Sequence, residues 1–217
     1  MTTFQNFLDT RPYREFSIID KSFSEESITD DYVANGFFKE LSFKNMSFHD
    51  VAFENCKFYD CDFENCIFII SLDEIDCELD SLFLYSCNLA RCSFKNCTFM
   101  NQYWSRVDTY LLKFQTCNFS NMNWNSVMIS DSDLKNCNFS NIRLNDSMLS
   151  SSTLKETSWK MISFIQGVFY KLKIYKSTFS ELKFDLTQPL YMRKKQNSYK
   201  VKNSKEFQQT IKMFEES

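Results

Sequence analysis

The sequence predicts a solenoid, a fold built by repetition, and three observations carry that prediction. The first is an apolar residue at every fifth position. It runs through Phe38, Phe43, Phe48, Phe53, Phe58, Phe63 and Phe68, and then without a break from Leu79 to Phe184; of 29 such teeth only Thr109 is not apolar. A period of five fits neither the turn of a helix, about 3.6, nor the alternation of a strand, about 2. The second is that small or slim residues dominate two positions before the teeth, among them Cys97, Cys117, Ser132, Cys137, Ser152 and Gly167. The third is that the remaining three positions of each unit are mostly Asn, Asp, Ser, Lys and Glu. Two inward residues per five, one bulky and one slim, describe a narrow tube with room only for side chains.

Segments such as Cys56-Lys57-Phe58-Tyr59-Asp60-Cys61-Asp62-Phe63-Glu64-Asn65 and Cys92-Ser93-Phe94-Lys95-Asn96-Cys97-Thr98-Phe99 resemble the pentapeptide-repeat family, whose consensus is Ala-(Asp/Asn)-Leu-x-x. The resemblance covers Gly36 to Asp185. It implies an all-β fold, a right-handed quadrilateral β-helix with four pentapeptides per coil, followed here by a C-terminal α-helix. A spacing of twenty agrees with it: Cys77, Cys97, Cys117 and Cys137 would share one face, continued by Thr157 and Ser177, beside a column of Leu79, Phe99, Phe119, Phe139, Trp159 and Phe179. Some seven coils at strand spacing give a rod of about 35 Å.

Taken in order, residues 1–35 read as an N-terminal cap or degenerate first coil. Phe23, Ile28 and Val33 keep the period there, but Lys21, Glu26 and Asp31 stand in the slim positions. Residues 36–185 are the β-helix proper. Within it, 69–78 is irregular, because Phe68 and Leu79 are eleven apart rather than ten. This stretch reads as a bulge or an extruded loop with an acidic tip. Pro189 ends the comb, and residues 186–217 are expected to form a basic linker with Arg193, Lys194 and Lys195, then a helix of about Ser204 to Glu215. Asn203 and Glu206 form its capping box. Phe207, Ile211 and Phe214 make one stripe, expected to cover the last coil; the resemblance also implies pairing of two subunits through this helix.

Several function classes fall away. All nine cysteines occupy slim inward positions, where a free thiol packs as a small hydrophobe, and none of them is spaced Cys-x-x-Cys. No metal and no cofactor are expected. The single histidine, His49, follows a tooth and points outward, and two glycines cannot form a Gly-rich phosphate loop. The expected protein is therefore not an enzyme. No apolar run is long enough to span a bilayer, and the start, Met1-Thr2-Thr3-Phe4-Gln5-Asn6, lacks the features of a signal peptide, so cytoplasmic residence without membrane contact is expected.

Among relatives that the chain resembles, the Qnr-type and microcin B17 immunity proteins act on DNA gyrase and topoisomerase IV by imitating duplex DNA. The resemblance implies a protein partner of that kind, with Asp50, Glu54, Asp60, Asp62 and Glu64 standing in for phosphates and Asp73, Glu74, Asp76 and Glu78 as a contacting loop. The alternative is a structural scaffold or adaptor for another protein. Charge distribution favours the alternative, since residues 1–80 carry 18 acidic and 6 basic side chains but residues 81–217 carry 10 and 19. Direct nucleic-acid binding is not expected, and would fall to Arg193, Lys194 and Lys195.

Overall fold

The computed structural model describes residues 3–10, 15–29, 31–69, 82–185, 190–194 and 197–213. Short strands, most of three residues, follow one another around four walls. Each pairs in parallel with the strand one coil before and one coil after. The tooth at the centre of a strand points inward and its two neighbours point outward, as the pleat requires; Lys57–Tyr59, with only Phe58 buried, is typical.

The first wall stacks Ile18, Phe38, Phe58, Leu89, Thr109, Ile129, Leu149 and Phe169, one tooth for each of eight coils, with Met192 in register beyond the last. The second wall runs from Phe23 to Ile174, the third from Ile28 to Phe179 and the fourth from Val33 to Phe184. In the third wall the rings lie almost parallel along the axis: Phe68 on Phe99 at 4.8 Å, Phe99 on Phe119 at 4.7 Å and Phe119 on Phe139 at 4.7 Å. Around the coil they meet edge to face, as Phe99 and Trp104 do at 85°. These rings fill the bore, and the cavity they leave between Phe4 and Trp104 is only about 20 Å³.

The corners explain both remaining rules of the repeat. Two residues after a tooth the chain turns with φ between 46° and 59°, at Asn35, Asp60, Asn96, Asn136 and their equivalents. This left-handed conformation suits Asn and Asp better than other non-glycine residues, because their short side chains bond locally. The slim residue follows the corner, and its thiol or hydroxyl donates to carbonyls there. Cys117 Sγ lies 3.3 Å from the Phe94 oxygen, and Ser152 Oγ lies 2.7 Å from the Ser150 oxygen. Cys, Ser and Thr recur at this position because each is small and carries a donor.

Three expectations change. The coils number eight rather than seven, since residues 16–34 pair in register with the next coil through Ile18, Phe23, Ile28 and Val33. Polar slim positions are tolerated there because this coil faces the open end: Lys21 is exposed, and the Glu26 carboxylate accepts the Phe4 and Gln5 amides at 2.7 and 3.3 Å. Those amides begin helix α1 (Phe4–Thr10), whose Phe4 and Leu8 plug the bore. Second, the neighbour of Phe99 in its column is Phe68, not Leu79, and the neighbour of Cys97 is Cys66, not Cys77. Phe68 and Phe99 are 31 residues apart where other coils take twenty. Periodicity gives the phase of a tooth but not its layer, and Leu79 is in phase simply because it stands five before Leu84. Cys77 and Leu79 lie outside the described residues.

Third, Arg193 and Lys194 do not stand in a linker. They end a strand, Leu190–Lys194, which pairs in parallel with Gly167–Tyr170 and antiparallel with Asn197–Val201. Leu190, Met192 and Val201 drive this hairpin, each buried at 0–1% exposure. Helix α2 (Ser204–Ile211) then folds over the last coil. Asn203 Oδ1 accepts the Glu206 amide at 2.9 Å, while the Glu206 carboxylate takes the Lys202 amide and the Asn203 side-chain amide. Phe207 packs on Phe164, Phe179 and Phe184, with Ile211 buried beside it. Gln208 and Ser204 donate to the Phe179 and Leu182 carbonyls, closing edge groups of the final coil.

Candidate interaction surface on the outer walls

With the bore filled, all accessible chemistry lies on the walls, and residues twenty apart share a wall while residues five apart occupy successive ones. The five predicted acidic residues therefore do not form one face. Asp50 sits at the corner between the third and fourth walls, Glu54 on the fourth, Asp60 at the corner between the first and second, and Asp62 and Glu64 on the second. Two of them are spent in ion pairs with adjacent coils. Arg91 grips Asp60 with Nε and Nη2 at 2.6 and 2.7 Å and holds its carboxyl below the usual range. Lys95 at 3.0 Å and Lys44 at 3.6 Å do the same to Glu64. Asp73, Glu74, Asp76 and Glu78 lie outside the described residues, as do Lys195 and Phe214.

The eight cysteines among the described residues are all buried. The thiols stack across coils, Cys56 on Cys87, Cys61 on Cys92, and Cys66, Cys97, Cys117 and Cys137 in one column; burial, with the Cys56 thiol alongside, pushes Cys87 far up, and the Cys61 thiol with burial does so for Cys92. Such groups stay protonated and are poor nucleophiles. Among the described residues no three potential ligands are placed to hold a metal. His49 Nε2 meets Ser47 Oγ at 2.6 Å, both half-buried and flanking Phe48 on the third wall.

Each wall has its own outward chemistry. The third is dominated by small polar residues, with Asn138 donating to Asn118 at 3.0 Å, and a ladder Asn101–Asn121–Asn141 at 2.9 Å runs along its corner with the fourth. The second is rich in lysine. The first carries an apolar row, Met128, Met148, Val168 and Tyr191, aligned strand by strand and half-buried. Tyr110 and Leu111 flank it at 50% and 40% exposure, and Tyr170 lies under the Lys171 ammonium at 4.9 Å. This row was invisible to a five-residue reading. Intervals of twenty link Met128, Met148 and Val168, whereas Tyr191 joins them only through the strand register.

Five residues make a strand and a corner, and four corners close a coil around a column of stacked teeth. The chain is a pentapeptide-repeat β-solenoid. No family model matches it, and none of the curated protein sequences does. Solved structures similar to the solenoid include QnrB1, a plasmid-mediated fluoroquinolone resistance protein, at 14% identity over 78% of this chain and 92% of that one, with a TM-score of 0.38. HetL, a pentapeptide repeat protein involved in heterocyst differentiation regulation from the cyanobacterium Nostoc sp., is 10% identical over 81% and 90%, with a TM-score of 0.28. PfbA, a surface adhesin of Streptococcus pneumoniae, is 8% identical over 86% and 74%, with a TM-score of 0.31. The strand register, rather than these figures, defines the solenoid. Among its described residues no helix is long and apolar enough to cross a membrane.

Proposed function

We propose that this solenoid is a non-enzymatic docking rod that holds a protein partner along its first wall. The observation that supports this reading is the aligned row of Met128, Met148, Val168 and Tyr191 with Tyr110, Leu111 and Tyr170 at its sides. Methionine and tyrosine are enriched in the centres of protein interfaces, and an apolar row on a rigid support loses little entropy on binding. The partner would be recognised by shape and apolar burial rather than by an acidic imitation of DNA. A type II topoisomerase is the specific partner that the family resemblance suggests; pairing of two rods remains part of the same proposal, though Phe207 and Ile211 are already buried within one chain.

Two experiments separate these forms. Capture of the partner by tagged protein should be lost in Met128→Lys/Met148→Lys and kept in Asn118→Lys/Asn138→Lys, the same charge placed on the third wall; equal capture by both variants would remove the first wall from the reading. For the topoisomerase form, purified protein should restore gyrase supercoiling in the presence of a quinolone. Absence of rescue at large molar excess would eliminate that target and leave the docking reading standing.

A further inference from the structure

Of the nine lysines from Lys95 to Lys183, six gather on one wall and its edge, while Lys160 and Lys183 stand on the third and fourth walls. Lys95, Lys113, Lys135, Lys155 and Lys173 project from the second wall and Lys176 from its corner with the third, every one exposed, against Asp133 on the wall and Asp131 and Glu156 at its corners. Lys95 is engaged by Glu64. The other five make no ion pair with the described residues. Lys135 and Lys155 are direct partners on adjacent parallel strands, an arrangement of like charges that costs stability in the isolated protein. From Lys95 to Lys173 the array crosses four coil steps, about 19 Å at strand spacing.

The rest of this wall identifies what would bind it. Between Ser93 and Lys176 its outward residues are Ser93, Asn96, Gln115, Thr116, Asn136 and Thr153, with Tyr175 at the far end. A protein partner would need a cluster of aromatic, aliphatic or arginine anchors, and this surface offers only Tyr175 at its far end and Leu111 at the corner it shares with the first wall. Insertion at a membrane interface needs an apolar face, and single-stranded nucleic acid needs a series of aromatic platforms for its bases. The phosphate backbone of a duplex needs neither. It asks only for closely spaced cations held in position, and lysine meets it as a point charge. We propose that the second wall binds the phosphate backbone of duplex nucleic acid independently of sequence, the flat surface lying across the backbone without entering a groove. This surface is distinct from the first wall, whose sheet the strand ending in Arg193 and Lys194 joins.

The test is fluorescence anisotropy with a labelled duplex of arbitrary sequence, titrated with the full chain at several salt concentrations. If four lysines each neutralise one phosphate, the logarithm of the binding constant should fall with that of salt at a slope of about −3.6, or about 10²-fold between ~50 and ~200 mM. Lys113→Gln/Lys135→Gln/Lys155→Gln/Lys173→Gln should flatten that slope and weaken binding at least tenfold at low salt. The equal-charge control Lys183→Gln/Lys200→Gln/Lys202→Gln/Lys205→Gln should stay within about twofold of the unmodified protein, all eight side chains being exposed and both variants therefore expected to fold. No duplex binding at low salt, an equal loss in the control, a preference for the single strand, or tighter association with phosphatidylserine vesicles or polyglutamate than with the duplex would each overturn the proposal.

Discussion

Two of the described teeth, Thr109 and Trp124, bury a polar side-chain atom with no hydrogen-bond partner. Thr109 is 3% exposed between Leu89 and Ile129, and the stranded atom is its Oγ1. Thr109→Val keeps the shape and removes the stranded hydroxyl, so it should raise stability by roughly 1–2 kcal/mol, read as a higher urea midpoint at unchanged slope. Leu111 and Met161 hold left-handed corners with φ of 54° and 55° although neither has a side chain that favours it. Leu111→Gly should therefore stabilise by about 1 kcal/mol in the same measurement, while Asn136→Leu should cost a similar amount. The Asp60 carboxyl gives a pH signature. Its folded value is depressed by Arg91, so the pair's contribution is complete above the ordinary aspartate range and disappears as pH falls through the depressed value. Asp60→Asn should be slightly less stable than the unmodified protein at neutral pH and equal to it at the acid end of a midpoint-versus-pH curve. Gln102, by contrast, stands where other coils use a slim or aliphatic residue. Its amide spans from the Phe68 carbonyl at 2.9 Å to the Trp104 indole at 3.0 Å, splinting the place where the coil spacing lengthens.

At the scale of elements, legibility tracked locality. Helix α2 could be placed from Asn203, Glu206 and the stripe of Phe207 and Ile211, because capping and amphipathicity are written within a few adjacent residues. Asn203→Ala should loosen α2 at a cost of about 1 kcal/mol, and hydrogen exchange should show the loss in the last two coils rather than the first. The hairpin of Leu190–Lys194 and Asn197–Val201 was missed although Leu190, Met192 and Val201 carry a strand's alternation. Three consecutive cations drew attention away from it. The first coil was obscured in the same way by Lys21, Glu26 and Asp31, whose acceptability depends on lying at an open end, a property of the assembled rod and not of the pentapeptide. Helix α1, seven residues long, owes its existence to that end as well: it is held by Glu26 and by the edge-to-face packing of Phe4 on Phe23 and Phe43, each at 5.0 Å.

For the whole molecule, the tube and its packed bore were almost completely readable, since every coil repeats the same inward pair. The surface was not. A wall is assembled from residues twenty apart, or 31 across one junction, and consecutive acidic residues such as Asp60, Asp62 and Glu64 are neutralised or dispersed once the chain winds. The lysine wall and the apolar row emerged only when outward positions were grouped by coil. Stability in such a rod is a sum over neighbouring layers. Phe119→Ala should thus cost about 3–5 kcal/mol, by emptying the centre of the stack between Phe99 and Phe139, and urea unfolding should lose its single sharp transition.

Nothing in a coil says how many coils there should be; α1 and α2 say it. Since each plug fits a terminal layer, length is a variable that copying could change at will. A version carrying residues 118–137 twice in tandem ought to fold as a rod one step taller, by about 4.8 Å in small-angle scattering, with both stoppers still seated. Seen so, the protein is a measuring stick whose graduations are identical and whose reach is decided by where its ends are stopped.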